Sequence, residues 1–490
     1  MTSVEELLKD VDKLLAKKPF FRGCPTFDTE DPNDELDVTS DCKIRSKIPA
    51  RRQSIVAQNR YLKELDPACH DVMFDQNIPD ICVKLADGTM QRVTSTRIGL
   101  PIQNMIRNSH TLHACGNPTY FSLRGATPTD TDKRNYELIK EYWTDRNIDG
   151  VRTKAVYTQK GVGDAGVLFY TNRKQEIKCR LISYEDGYDI ITHKDDNGEH
   201  ILECVHYYGD DGLETVDCYD DTYLHRLVKA ADGWKRKDIK HGFDEIPLAT
   251  KRGDVAWNSV QSLIDVYEIM YNIYTVIEKR HGWGILYVRG KFKDEAREIA
   301  GNVILNDTSV DGNGKVEAIS APSSQGITDY LDGLWKNIMR CSNTTFILPE
   351  DIRSSGDISG LAVMLTQMLD LEEANRVVAE WQNFMDKMLR LFMQGLAKEL
   401  VNKGINEYAV TEFARLRMSA KLKVWRPFNE AEYNQMLVTL KGAGIISAKT
   451  AIEKNTISAP DEQARIAVET EESNAVQRAT SGTALQTQSE

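Results

Sequence analysis

The spacing of hydrophobic positions changes character along this chain, and the changes divide it. Residues 1–65 carry charged helical patterns broken by the Pro/Asp-rich stretch "CPTFDTEDPNDELD", and from Asn104 to Tyr142 helical patterns alternate with turns. "NPTYFSLRGATPTD" reads as one such turn, and "DTDKRNYELIKEYWTDRN" as a helix opened by an Asp cap. Between residues 151 and 250 the period shortens. "AGVLFYTN", "IKCRLISYE", "YDIITHKDD", "HILECVHYYG", "ETVDCYDD" and "YLHRLVKA" are short β-branched and aromatic runs. Turns such as "DDNGE" and "GDDGL" separate them, which predicts an antiparallel meander.

Helical spacing returns from Asp254 to Arg280, roughly 40 Å of helix at 1.5 Å per residue. Val260, Leu263, Ile264, Tyr267, Met270, Tyr271, Ile273, Tyr274 and Ile277 cover more than one stripe, so the helix is expected to be buried on two sides. A small insert follows, with "WGILYVRG" and "GKVEAISAP" as strands around a short helix, "KFKDEAREIAGN". A second helix is expected over Gly326–Asn343. The polar stretch "DIRSSGD" then runs into a very long pattern from Ser359 to Lys403. Leu361, Leu365, Met368, Val378, Trp381, Phe384, Met388, Leu391 and Leu400 hold 3–4 spacing there, about 60–65 Å of helix acting as a beam. "LRMSAKLKVWRP" reads as a strand, Asn429 with Glu432 as a capped helix start, and Ser447 as the cap of a further helix.

Composition narrows the function classes. With 490 residues, 41% hydrophobic and 28% charged, the chain exceeds one ordinary core and reads as globular. No run approaches 18 uncharged apolar residues, so no membrane span is expected, and the charged amphipathic start does not read as a signal peptide. Nine scattered cysteines are expected to be reduced thiols rather than a disulfide framework. The net charge of −12, with only short basic runs at Ile48–Gln53 and Gly233–Lys240, argues against a surface that grips nucleic acid. Those runs are expected to be solvated faces.

Candidate chemistry falls short at each place where it begins. "GVGDAG" (Gly161, Gly163, Gly166) fits G-x-G-x-x-G, but strand patterns follow it where a dinucleotide site needs a helix, so a hairpin-type connection is expected. "HTLHAC" offers His110, His113 and Cys115 without a second ligand cluster at metal spacing, which favours a satisfied histidine pair. "DTSVDGNGKVEA" starts like a calcium loop, with Asp307, Ser309 and Asp311, but has Ala318 at its twelfth position. No Gly-Lys-Ser/Thr phosphate loop and no G-x-S-x-G occurs, so no enzyme and no cofactor is expected.

The order of elements is itself informative: meander, long helix, small insert, second helix, polar loop, very long helix, strand, capped helical end. Together with "IRNSHTLHACGNPTYFS", "GDAGVLFYTNRKQEIKCRLISYED", "HGFDEIPLATKRGDVAWNSVQSLIDVYEIMYN", "SGDISGLAVMLTQMLDLEEA" and "FNEAEYNQMLVTLKGAGIISAKTAIE", it resembles the portal (head-to-tail connector) proteins of tailed bacteriophages over nearly the whole chain. The His110/His113 pair departs from the family pattern.

The resemblance implies an α+β fold with portal architecture. Residues 1–254 would form a wing, 255–280 a stem helix, 281–322 a small α/β clip and 323–347 a second stem helix. Residues 348–358 would form a tunnel loop, 359–427 the wing beam helix and return strand, 428–479 a helical crown, and 480–490 a disordered tail. It implies a homo-oligomeric ring, commonly of twelve copies, at one capsid vertex of the virion, assembled in the host cytoplasm. Its partners would be the terminase large subunit, major capsid and scaffolding proteins, a head-completion or adaptor protein, and double-stranded DNA passing through without sequence-specific binding. Glu350, Asp351, Arg353, Ser354, Ser355, Gly356 and Asp357 would face the DNA, and Leu263, Tyr267, Met270 and Tyr274 would make contacts between copies. Two other classes fit parts of the pattern: another oligomeric phage protein of the tail or baseplate, and a metal-dependent enzyme using His110, His113 or Cys115.

Overall fold

The computed structural model describes residues 4–15, 53–75, 78, 81–84, 90–93, 97–123, 128–209, 211–281, 285–289, 303–307, 315–319, 325–345, 367–404, 416–426, 430–455 and 465–471. The chain divides into two compact units, residues 1–346 with 369–425 and residues 347–368 with 426–490.

The first unit opens with α1 (Val4–Lys9), α2 (Val11–Leu14) and α3 (Gln53–Leu65), then β1 (Ile81–Lys84) paired with β2 (Met90–Val93). Next come α4 (Ile102–Cys115), β3 (Tyr120–Leu123), α5 (Asp130–Asp145) and α6 (Ile148–Val162). The α5 start corrects the expected Asp cap. Thr129 is the cap, its hydroxyl accepting from Asp132 N while the Asp132 carboxylate reaches back to Thr129 N. This reciprocal box satisfies two orphan donors where an Asp alone would satisfy one. The stretch read as a turn at "NPTYFSLRG" contains β3, which pairs with the late strand β15 described below; a partner some 300 residues away leaves no local trace.

"GVGDAG" is not a hairpin connection. Gly161 closes α6, Gly163 caps it in the left-handed conformation at φ 84°, and Gly166 lies in β4 (Asp164–Thr171). Helix-then-strand is the reverse of a dinucleotide site. β4 joins β5 (Ile177–Ile182) and β11 (Leu248–Arg252) in a three-stranded antiparallel sheet, in the order β11–β4–β5. Between them the expected meander appears as β6 (Asp189–Lys194), β7 (His200–Tyr208), β8 (Glu214–Tyr219) and β9 (Tyr223–Ala230). The run Gly233–Lys240 adds a fifth, edge strand, β10. That run is solvated as expected, but as a strand; its charges decorate an edge and protect it from pairing. Side-chain alternation gives the meander two buried faces. Leu202, Cys204, Val216 and Leu227 pack under α1 and α2, while Val205 and Tyr219 pack with Leu168, Ile182 and Leu248 of the smaller sheet.

The long helix starts later than its apolar pattern. Turns occupy 256–260, and α7 runs Gln261–His281. β12 (Ile285–Arg289), β13 (Val303–Asp307) and β14 (Lys315–Ile319) then form a mixed sheet, β12 parallel to β13 and antiparallel to β14. The short helix expected between the first two strands, and the middle of the calcium-like loop, lie outside the described residues. α8 spans Gln325–Cys341. The beam pattern appears as α9 (Met368–Glu380) and α10 (Gln382–Asn402), joined at Trp381; its start at Ser359 lies outside the described residues. β15 (Met418–Lys421) closes the unit. Of the cysteines, Cys115, Cys179, Cys204, Cys218 and Cys341 are free thiols, whereas Cys69 is disulfide-bonded, which corrects the all-thiol expectation.

In the second unit, α11 (Glu430–Gly442) and α12 (Ala448–Lys454) are joined by a turn with Gly444 at φ 71°. Ser447 caps α12 by accepting from Thr450 N at 3.1 Å, as its position predicts. The proposed cap Asn429 lies outside the described residues.

The main core gathers α10 against the β11–β4–β5 sheet and α5. Trp143, Trp381, Phe392 and Met388 are fully buried there, with Trp143 edge-on to both Phe121 and Phe392. α10 lies so close to β5 that a Cβ on Gly395 would sit 2.2 Å from Ile177 Cδ1 and 3.2 Å from its Cβ. One turn further on, buried Glu399 accepts from Ile177 N at 2.9 Å and from Arg146 at 2.9 Å. Gly395→Val should therefore lower stability by about 1–3 kcal/mol through overpacking, read as an earlier urea midpoint. Adding Ile177→Ala to it should recover part of that loss. An unchanged midpoint for Gly395→Val would contradict this packing.

Candidate functional site

Two buried polar clusters fix the helices from which any site of this protein must be built. The first lies on α7. From the residue just before α7 onward, buried positions recur every four residues, at Val260, Ile264, Glu268, Asn272 and Val276. Two of the five are polar, and both reach the extended segment Arg97–Leu100. Ile98 N donates to Asn272 Oδ1 at 2.7 Å, and Asn272 Nδ2 donates back to Ile98 O at 2.8 Å. Leu100 N donates to Glu268 Oε1 at 2.7 Å. The side chains thus pair with the backbone much as a neighbouring strand would.

His70 completes this cluster. Its Nδ1 lies 2.7 Å from Glu268 Oε1 and its Nε2 2.8 Å from the Glu64 carbonyl. The Glu268 oxygen already accepts from Leu100, and a carbonyl oxygen can only accept. With Glu268 ionised, and so an acceptor only, both ring nitrogens donate and the ring is an imidazolium. Burial works against that charge, but the hydrogen bond and charge of Glu268 outweigh it, and the pKa of His70 is raised. Trp257, also fully buried, donates from Nε1 to Glu64 Oε2 at 2.7 Å and ties the start of α7 to α3.

The second cluster joins the two sides of the stretch 346–366. α8 ends at Cys341 because Asn343 adopts the left-handed conformation at φ 51°, with Thr344 N returning to Met339 O at 3.0 Å. The released segment is taken up by α4: His110 Nε2 donates to Ser342 O at 2.8 Å and lies 3.0 Å from Thr344 Oγ1. Asp370, near the start of α9, accepts from Thr345 N at 2.9 Å and from Ser109 Oγ at 2.6 Å. One turn on, Glu373 receives Lys160 of α6 at 3.1 Å and a two-pronged contact from Arg376 at 2.8 Å. Burial disfavours the Glu373 charge, yet Arg376, Lys160 and His110 together bring its pKa down to about 2. His110 behaves oppositely. Burial is the main cause, and Lys160 adds to it, so its pKa falls to about 4 despite Glu373 3.6 Å away. The ring is neutral, and the contact with Glu373 is not an ion pair at neutral pH.

The residues singled out in the sequence fall as follows. Leu263, Tyr267, Met270 and Tyr274 are half-buried on α7. Tyr267 packs on Trp335 of α8, with ring centroids 5.7 Å apart, and is stacked with Tyr271. Part of the surface assigned to contacts between copies is thus already covered by α8 of the same chain. Glu350, Asp351, Arg353, Ser354, Ser355, Gly356 and Asp357 lie outside the described residues. His110 and His113 are structural. His113 donates from Nδ1 to Ser109 O at 2.9 Å, and its ring meets Trp425. Burial pushes the Cys115 thiol up to about 12. Among the described residues no group of three or more His, Cys, Asp or Glu is arranged to hold a metal ion. Glu268, Asn272, Asp370 and Glu373 escaped sequence reading because polar residues were assigned to solvent. The signal was present for two of them: Glu268 and Asn272 continue the four-residue register of Val260 and Ile264.

His70 and His110 should tilt the stability–pH curve in opposite senses. Folding raises the His70 pKa above its ordinary 6.5, so its stabilisation is complete below pH 6.5 and is lost as pH rises through the folded value. For His110 the unfolded chain takes up a proton near 6.5 but the folded chain only near 4, so stability is lost as pH falls across that interval. Melting temperatures from pH 4 to 9 should show His70→Gln flattening the alkaline side and His110→Gln the acid side. Curves parallel to wild type would contradict both assignments.

No curated protein matches the sequence. Among solved structures, a chain of the neck of an empty GTA particle computed with C6 symmetry is similar at 11% identity and a TM-score of 0.35, over 71% of this chain and 88% of that one. No helix among the described residues is long and apolar enough to cross a membrane. The sequence matches the family described as phage portal protein, SPP1 Gp6-like, across residues 51–475, a span that takes in both polar clusters, α7, α8 and the stretch between α8 and α9. The chain therefore belongs to the SPP1 Gp6-like phage portal protein family, and its role is that of a structural protein of the phage particle.

Proposed function

We propose that the protein forms a closed ring of twelve copies at a single capsid vertex and serves as the channel for DNA packaging and ejection. Family membership over residues 51–475 is the observation that carries this reading. α7 and α8 are its stem helices, and the β12–β14 sheet inserted between them is the clip on which the terminase motor and later a head-completion protein dock. Residues 428–479 form the crown on the capsid side, in contact with capsid and scaffolding proteins during assembly.

Residues 348–358 are the tunnel loop. The second polar cluster supports this, since Asp370 holds Thr345 on one side of the stretch beside α9 on the other, as the base of a loop requires. The loop is small and polar, with Ser354, Ser355, Gly356 and Asp357 in sequence, and the chain has a net charge of −12. A duplex carries one phosphate per roughly 1.7 Å of axis, so a basic collar would hold it where a neutral or acidic one lets it slide.

Replacing Ser354, Ser355 and Asp357 by Lys should leave rings assembled but stall or slow packaging. Raised salt should relieve the defect by screening. Packaged DNA length measured against salt for both proteins tests this; wild-type packaging by the triple variant at every salt concentration would rule the loop out as the channel constriction.

A further inference from the structure

α8 shows two unlike sides. Leu331, Leu334 and Ile338 are buried against the rest of the subunit. On the opposite side Asp329, Gly333, Lys336 and Arg340 form an exposed stripe, flanked by Tyr330 at 49% exposure. Among the described residues neither Lys336 nor Arg340 has an ion pair. Gly333 has no reason within its own chain: a Cβ there would meet nothing within 4 Å. A glycine inside a helix costs about 1 kcal/mol relative to alanine, a cost that close approach by another surface would explain.

On the other flank of the helix pair, a cleft of about 260 Å³ opens between α7 and the short helical turn Asp71–Met73. Its apolar lining is Val72, Phe74 and Ile269, and its acids include Asp71, Asp75 and Asp265. Phe74 is 44% exposed. Lys63 is paired with Asp71, and His70 with Glu268. Asp265 has only the Gln261 amide, at 2.7 Å, and no ion pair among the described residues. Burial, with Asp71 and Glu268 close by, raises its pKa against the Gln261 amide and the charge of Arg60.

The two surfaces lie at one height. Ser259 Oγ donates to Cys341 O at 3.1 Å, and Ile338 packs with Val260 and Ile264, so the helices run antiparallel with Lys336 and Arg340 level with the first turns of α7. At 3.6 residues per turn, Asp265 and Ile269 lie between about a third and a half of a turn around α7 from the side that meets α8, and the Lys336 stripe lies roughly half a turn around α8 from the side that meets α7. A rotation about an axis parallel to the pair would bring the stripe of one copy to the cleft of the next without changing height. That is a heterologous contact able to close a ring.

We infer that the ring is closed by a second copy of this chain seating the outer face of its α8, through Lys336 and Arg340, on the Asp265 cleft of its neighbour. The inference rests on the ring proposed above and names the surfaces that close it. Gly333 lets the helix backbone approach, and Tyr330 adds apolar area beside the charges.

Charge reversal tests it, with ring formation by the full chain followed by sedimentation velocity over a range of concentrations. Asp265→Lys and the pair Lys336→Glu with Arg340→Glu should each raise the concentration for half-assembly by about tenfold or more. Combining all three should recover most of the loss, and added salt should weaken the wild-type ring. Circular dichroism and melting of the unassembled protein check the fold; Lys336 and Arg340 are exposed, so their reversal keeps the test open if Asp265→Lys fails to fold. Reversal variants of intact fold that assemble as wild type, or a combined variant no better than its parents, would overturn the pairing while leaving the ring intact. A wild-type protein that forms no ring would overturn the ring itself.

Discussion

A carboxylate taken out of water must find positive charge or hydrogen-bond donors, and Glu373 is the place where this requirement organises the subunit. Its side chain is 1% exposed and is met by Lys160 from α6 and Arg376 from its own helix. Removing one partner of such a pair costs about 3–5 kcal/mol, because the other is left charged and buried. α6 and α9 therefore cannot separate without exposing the group to that penalty. Asp370, one turn earlier, extends the same constraint to Thr345 and to Ser109 of α4. Three elements remote in sequence are brought together by two acids on one helix face.

The same logic sets the register of α7. A helix whose buried stripe repeats every four residues could slide by one turn, about 5.4 Å, and still present apolar side chains to the core. Glu268 and Asn272 remove that freedom. A slide would strand the Ile98 amide and carbonyl, the Leu100 amide and the His70 imidazolium, and each orphaned buried group costs about 1–3 kcal/mol. For a subunit read as one segment of a channel wall, register matters more than bulk stability, since an error in one copy would be passed to both neighbours. The apolar core supplies cohesion, and the polar clusters supply position.

Much of the frame could be read in the sequence. The strands β4 to β9 announced themselves by β-branched and aromatic alternation between acidic turns, and α7, α8 and α10 by apolar spacing. What could not be read depended on distant partners. β3 looks like a turn because its partner is β15, and β10 looks like a charged surface run because its neighbour β9 supplies the pairing. α7 begins seven residues after the start of its pattern at Asp254 because the chain first turns to seat Trp257. The histidines of "HTLHAC" read as a satisfied pair, yet the role of His110 at the end of α8 required knowing that residues 342–344 pass beside it. Charged and amide side chains inside helices were the consistent blind spot, because hydrophobic periodicity treats them as outward-facing by definition.

Native mass measurement of the purified protein tests the central claim, that this subunit is a segment of a closed ring. The account predicts one dominant species at twelve times the 55.5 kDa chain mass, unchanged over a wide concentration range. A monodisperse monomer at micromolar concentration, or an open-ended distribution that grows with concentration, would contradict it.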